Sequence, residues 1–296
     1  MVVRYLRVPP MIDMKPFHLS LLAAAVLTLP AASFADTEAS PYTVKMGVAR
    51  IFARATSTDL KGTLPPYGVE VPAGNQLEVM PESTVLFTIS RRLTDNWEAE
   101  LVLGTPPTHD VRLRVGKETM GRAAQYQALA ANGIRTRDQV AGYIASQPGI
   151  TVQQATLSAN ALVTAAQVGK YNGATVARVE QAAPTAFINY RFFERGTALR
   201  PYVGVGINYT RFKARETTAG ANVYMDGPVD IKLSDSWGLA FQTGVTYRID
   251  DKWSLNAGWM TASVKNKMTI STANGEQKAS YRFHPSVYTV SVGYSF

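Results

Sequence analysis

Few residues in this chain have the types and spacing that catalysis needs. His284-Pro285-Ser286 sets an imidazole two positions from a hydroxyl, so an extended strand carries both on one face. A serine nucleophile also needs an acid to orient its base, and no acidic partner is evident near that pair. His109-Asp110 is a weaker pairing, just beyond Thr105-Pro106-Pro107. The chain has no cysteine, which excludes thiolate nucleophiles, thiolate zinc sites and disulfide frameworks together. No metal-ligand cluster, phosphate loop or dinucleotide fingerprint stands in the sequence. The sequence therefore assigns no catalytic residue, no metal and no cofactor.

Charge is the remaining resource. Lysine and arginine number 30 against 22 acidic residues, a formal +8 over 296 residues. The basic residues are spread along the chain without a run of five or six, so no nucleic acid is expected as a partner. The charged fraction of 18% is below the roughly 25% of soluble domains. A mean hydropathy of -0.06 argues against a bundle of membrane helices, each of which needs about 20 apolar residues. It leaves a membrane β-barrel open, because lipid-facing and lumen-facing residues alternate and average out.

The elements that must position these side chains follow from periodicity. Residues 19–35 form the one long apolar run, after Met14-Lys15-Pro16 and ending on Pro30 and Ser33-Phe34-Ala35. It reads as a secretory signal over residues 1–35, cleaved before Asp36, with Met14 as an alternative start. Beyond it, period-two alternation predicts strands over residues 43–53, 82–92, 96–104, 185–193, 200–212, 237–249, 253–264 and 284–296. Each has about the length a tilted strand needs to cross a bilayer. Long and short connections alternate strictly, as they do when short turns are periplasmic and long loops extracellular.

The faces of these strands can be assigned. Val203, Val205, Ile207 and Tyr209 alternate with Tyr202, Gly204, Gly206 and Asn208. Trp97, Tyr190, Phe192, Tyr247, Trp253 and Tyr294 stand beside the short turns, which places the apolar face outward as an interfacial girdle requires. Gly47, Gly104, Gly204, Gly206, Gly238, Gly244, Gly258 and Gly293 then all face inward, where an eight-stranded lumen has little volume. The fold class is all-β: an eight-stranded antiparallel transmembrane β-barrel over residues 36–296.

Residues 117–183 form an insertion in the second long loop that reads as helical. Thr136 with Gln139 and Thr151 with Gln154 have capping-box spacing. Residues 153–168 are alanine-rich, and Gly169 offers a C-terminal stop.

Sorting inward residues by height gives two groups. Toward the outside lie Ile51, Leu86, Val102, Phe187, Phe212, Met260, Val264 and Val287, an apolar set that would line a ligand pocket or channel. Toward the periplasm lie Lys45, Glu98, Glu100, Asn189, Arg191, Asn208, Gln242, Arg248 and Asn256. Within that set Lys45, Glu98, Glu100, Arg191, Arg248 and Gln242 are expected to form a polar plug. Charges in a narrow lumen need partners, and Glu100 with Arg191 or Arg248 is the pairing expected.

Arg200 to Thr210 (RPYVGVGINYT), Asp235-Ser236-Trp237-Gly238, Trp253-Ser254-Leu255-Asn256 and the closing Pro285 to Phe296 resemble the OmpW family of small eight-stranded outer-membrane barrels. The insertion is much longer than that family's second loop, and His284 stands where an acidic residue is expected. The resemblance implies passage of small hydrophobic molecules, leaving sideways through the barrel wall into the membrane, and location in the Gram-negative outer membrane with its lipid as partner. The alternating Tyr288, Val290, Val292, Tyr294 and Phe296 resemble the C-terminal strand signal read by the barrel assembly machinery. Two other classes compete with a conduit. The insertion could make the chain a structural or adhesive surface protein, and the His-x-Ser spacing is similar to that of the outer-membrane lipid A deacylase.

Overall fold

The computed structural model describes residues 41–224, 229–273 and 275–296. The expected secretory signal lies outside the described residues. The chain forms β1 (Tyr42–Phe52), the short strands β2 (Ala55–Thr56), β3 (Lys61–Leu64), β4 (Val69–Glu70) and β5 (Gln76–Val79), then β6 (Glu82–Arg92), β7 (Trp97–Gly104) and β8 (Thr108–Arg114). Helices α1 (Lys117–Ala131), α2 (Arg137–Ala145) and α3 (Val152–Gly169) follow. After them come β9 (Thr175–Ala182), β10 (Thr185–Arg191), β11 (Leu199–Glu216), a short α4 (Thr218–Val223) and β12 (Asp230–Leu233). The chain finishes with β13 (Ser236–Arg248), β14 (Trp253–Ala262), β15 (Val264–Ser271), β16 (Glu276–Phe283) and β17 (Ser286–Ser295).

Strands β1, β6, β7, β10, β11, β13, β14 and β17 each pair antiparallel with the next of that series, and β17 returns to β1 with Thr43 opposite Ser295. The sheet therefore closes into a barrel of eight strands with no free edge, as the alternation predicts. Leu239 is 78% exposed, Val205 65% and Val290 60%, all on the outer face. Lys45, Glu98, Glu100, Asn189 and Gln242 are buried on the inner one. That polarity is the reverse of a barrel in water, and it fits a wall that faces lipid. No helix among the described residues is long and apolar enough to cross a membrane.

Aromatic rings ring the end that carries the short turns. Trp97 packs edge-on against Tyr190 at 5.2 Å, Tyr190 against Phe192 at 5.1 Å, and Trp253 against Tyr294 at 4.9 Å. Such rings seat at a membrane–water boundary.

At the other end, the sequence expectation of loops is corrected. The connection between β1 and β6 contains β2 to β5, and β11 continues past the barrel to Glu216, where it pairs with β9. One upper sheet runs β11-β9-β8-β5-β2, continuous with the barrel, and a second runs β12-β15-β16-β3-β4. They face each other across an apolar core of Leu60, Leu77, Val111, Leu113, Met268 and Ile270. The strands run beyond the bilayer because inward apolar residues continue in step. Val264, Asn266, Met268 and Ile270 are buried on β15, while Lys265 and Lys267 between them are exposed.

Within residues 117–183 the helices end at Gly169, and Thr175–Ala182 is strand rather than helix. Both capping boxes form: Thr136 accepts from the Gln139 N–H and Thr151 from the Gln154 N–H. The three helices share a small core of Val140, Ala159 and Leu162. They attach to the upper sheets through Asn75, whose Nδ2 donates to Thr119 Oγ1 at 2.9 Å, and through Arg137 stacked 5.7 Å over Tyr67.

Candidate functional site

The strand pleat sends alternate residues into the lumen, and the register sets which of them meet. Arg191 on β10 donates from Nε to Glu98 Oε2 and from Nη2 to Glu98 Oε1, each at 2.9 Å. Lys45 Nζ on β1 lies 3.2 Å from Glu100 Oε2 and 3.5 Å from Glu98 Oε1. Asn189 Nδ2 donates to the same Glu100 oxygen at 2.7 Å and receives Gln242 Nε2 on its own Oδ1 at 2.7 Å. Arg191 also donates to Thr246 Oγ1 at 2.9 Å and stacks 5.4 Å over Tyr202. Two cations and two carboxylates are thus compensated inside the wall, which is the condition under which buried charges persist.

The sequence-predicted plug residues Lys45, Glu98, Glu100, Arg191 and Gln242 meet in this network. Arg248 does not. It is exposed at the turn end, where Nη2 donates to the Gly196 carbonyl at 2.8 Å. The expected pairing is corrected as well: Glu98, not Glu100, holds Arg191, because Glu100 stands opposite Phe187, four residues from Arg191, while Glu98 stands opposite Asn189, from where Arg191 reaches it diagonally. Asn208, placed by sequence toward the periplasm, lies opposite Thr185 and lines the upper cavity instead. Asn189 is fully buried at the centre of the network, and its bridging role has no signature in a one-dimensional reading.

Tyr202 fits because Gly244 and Gly258 leave it room. A Cβ at those positions would stand 2.7 Å and 2.9 Å from its hydroxyl.

The network separates two spaces. On the turn side is a polar vestibule of about 560 Å³, with Lys45, Glu98, Arg191, Thr246, Arg248 and Asn256 in its wall. On the loop side is an apolar cavity of about 90 Å³. Ile51, Leu86, Val102, Phe187, Met260, Val264 and Val287 line it, the residues that sequence placed toward the outside. Phe212 does not; it lines a third space, a chamber of about 70 Å³ between the two upper sheets. That chamber draws on β5, β8, β12, β15 and β16, which fall mainly in expected connections, and on β9, which falls in the expected helical insertion.

The wall of the barrel cavity has a weak seam. β7 and β10 pair up to Val102 opposite Thr185, and β8 and β9 take up pairing from Thr108 opposite Glu180. Between these points lie Pro106, Pro107 and Pro184, which cannot donate to a ladder, and the Gln181 N–H reaches the Pro107 carbonyl at 3.0 Å. Leu103, Gly104, Thr105, Pro107, Gln181 and Ala183 of this seam also line the cavity.

Neither histidine-containing pair assembles a triad. His284 is exposed and Ser286 half-buried, and among the described residues no hydrogen bond joins them. His109 is buried in the upper chamber, its Nδ1 2.9 Å from the Met80 carbonyl.

A family model described as the OmpW family matches residues 140–296. Outer membrane protein W of Vibrio cholerae is 34% identical over 122 residues, covering 41% of this chain and 55% of that protein. Outer membrane protein W of Escherichia coli K12 is 33% identical over 132 residues, covering 44% and 60%. The chain thus spans less than two thirds of the length of these curated relatives. Among solved structures, the outer membrane protein OprG from Pseudomonas aeruginosa matches with a TM-score of 0.61 at 21% identity, over 88% of this chain and 97% of that one. At that identity the likeness is one of fold.

Proposed function

The chain belongs to the OmpW family and is a β-barrel of the outer membrane, and from that premise we propose that it is a narrow conduit or binding pocket for small hydrophobic molecules. The observation that carries this reading is the order of spaces along the barrel: an apolar cavity toward the long loops, then a closed network of Lys45, Glu98, Glu100 and Arg191. An apolar solute entering from the loop side meets leucine, valine and phenylalanine and then a charged floor. Crossing that floor would leave ions unpaired, whereas at the seam beside Gly104 and Pro107 prolines interrupt the ladder that closes the wall. Sideways exit is the route this geometry supports. A water-filled pore for sugars needs about 16 strands, so eight favour a closed floor.

The test is uptake of an apolar solute into liposomes containing the refolded barrel. Leu86→Asp and Phe187→Asp, which place a carboxylate in the cavity wall, are expected to abolish uptake while leaving the barrel folded by circular dichroism. Unchanged uptake would overturn the conduit reading. Single-channel recording is expected to show no ohmic water-filled pore.

The reading is non-enzymatic, and the proposed partners are outer-membrane lipid and small hydrophobic solutes. Tyr288, Val290, Val292 and Phe296 are exposed on the outer face of the last strand, which supports β17 with Tyr294 as the element read by the barrel assembly machinery.

A second reading rests on the helical insertion. It has its own core, and it exposes Val152 at 75% and Leu157 at 61%. An adhesive or structural role at the cell surface would reside there. Deleting residues 117–169 while retaining β9 separates the two: conduit function survives the deletion and adhesion does not.

A further inference from the structure

Among the described residues, the buried side-chain atoms without a hydrogen-bond partner are Ser90 Oγ, His109 Nε2, Thr164 Oγ1 and Asn266 Oδ1. Two of them, His109 Nε2 and Asn266 Oδ1, line the same chamber from facing sheets, β8 and β15. His109 is 1% exposed. Its Nδ1 faces the Met80 carbonyl at 2.9 Å, and a carbonyl can only accept. Nδ1 therefore carries the hydrogen and Nε2 presents a lone pair. Burial also pushes the His109 pKa below its ordinary value, which keeps the ring neutral.

Two other polar points of the wall have the same sense. Asn266 Oδ1 is an acceptor, and the Glu216 carboxylate accepts from the Val229 N–H at 3.2 Å. Gln181, Tyr224 and Tyr281 are further polar residues of the wall, the Tyr224 hydroxyl donating to Gln277 Oε1 at 2.7 Å, and the remainder is mainly hydrocarbon, including Leu60, Leu77, Val111, Met268, Ile270 and Phe283. The chamber thus holds two unpaired acceptors, His109 Nε2 and Asn266 Oδ1, in a largely apolar setting. Buried acceptors are rarely left unmade, and two in one space point to something that supplies hydrogens. A single water needs only about 10–15 Å³, against the chamber's 70 Å³.

We infer that this chamber is a binding site for a small apolar molecule bearing a hydroxyl, an alkanol or a phenol, whose O–H donates to His109 Nε2 while its hydrocarbon lies against Leu77, Val111 and Met268. A companion water serves Asn266 Oδ1. The site deepens the conduit reading by naming a solute class, and occupancy at equilibrium needs no passage through the barrel.

The experiment uses the full barrel in micelles, labelled with ¹⁵N-histidine. The chain has 3 histidines, so the His109 Nε2 resonance is assignable with His284→Gln. Phenol is expected to shift that resonance saturably in the direction of hydrogen-bond acceptance. Binding should be roughly tenfold tighter than for fluorobenzene, which has the same shape and no donor. Asn266→Leu should keep the preference for phenol, and His109→Leu should remove it. An Nε2 resonance that responds to neither probe means a chamber filled by water alone and overturns the proposal. Equal response to both probes overturns it in favour of shape alone, and tighter binding of benzylammonium overturns it in favour of the Glu216 carboxylate. Loss of liposome uptake in Leu86→Asp with phenol binding intact would separate this site from the conduit.

Discussion

Arg191 and Glu98 meet side-on across β10 and β7, with both guanidinium–carboxylate contacts at 2.9 Å. The pairing is diagonal: Asn189 stands opposite Glu98, and Phe187 stands opposite Glu100. Arginine's planar fork makes such a two-point contact and lysine's point charge does not. Lys45 accordingly sits between the two carboxylates, at 3.5 and 3.2 Å. The floor of the barrel is therefore held by one rigid pair and one shared cation.

Removing one member of that pair leaves a buried charge without its partner. Arg191→Met and Glu98→Gln are each expected to cost about 3–5 kcal/mol, measured by reversible urea unfolding in lipid vesicles. The double variant is expected to cost clearly less than the two together. Additive costs would show that the contact contributes nothing of its own.

Tyr202 and Gly258 make a second couple. A methyl at Gly258 would stand 2.9 Å from the tyrosine hydroxyl and 3.2 Å from Thr289 Oγ1. Gly258→Ala is expected to destabilise the barrel by about 1–3 kcal/mol, the range for overpacking. Tyr202→Phe, which deletes the oxygen in the way, should recover part of that loss. A double variant no more stable than Gly258→Ala would place the strain elsewhere.

The contrast between barrel and upper layer shows what a sequence can and cannot carry. Each barrel strand declares itself locally, as Val203, Val205 and Ile207 do against Gly204 and Gly206, and the preceding strand β10 pairs with it across a short connection. The upper sheets have the same alternation in Val264, Asn266, Met268 and Ile270. β15 pairs with β16 through a hairpin, but what joins such pairs into sheets is distant: Lys61 pairs with Lys278, and Gln76 with Arg114. Once eight strands complete a barrel, a further alternating stretch reads as loop. Heights inside the lumen are lost for a related reason. Parity puts Glu98, Glu100, Arg191 and Arg248 on one face, but only the register says that Arg248 lies at the rim and Arg191 reaches Glu98.

The insertion was legible because its signals are local. Thr136 and Thr151 each accept from the N–H three residues on, while Gln139 and Gln154 return a bond to the cap's own N–H. Thr136→Ala or Thr151→Ala is expected to cost about 1 kcal/mol, confined to the helices. Hydrogen exchange should report faster opening of α2 or α3, with β1 and β17 unchanged. Equal loosening of the barrel would mean that the helices and barrel unfold as one unit.

His109 links the upper layer to pH. Desolvation holds its imidazole below the ordinary value near 6.5, against weaker upward pulls from the Met80 carbonyl and the Glu82 carboxylate. An unfolded chain binds the proton as pH falls through about 6.5, while the folded chain does not. The unfolded state then carries more protons, so stability falls as pH drops, until the depressed folded pKa is reached. Above about pH 7.5 the group contributes no slope; as pH falls from there toward the lowered folded value the loss steepens, to at most about 1.4 kcal/mol per pH unit. Opening free energies of β8 and β15 amides, corrected for the intrinsic exchange rate, should decline over that window in the wild type and stay level in His109→Gln. A parallel decline in both proteins would assign the pH dependence to other groups and leave His109 a silent member of the core.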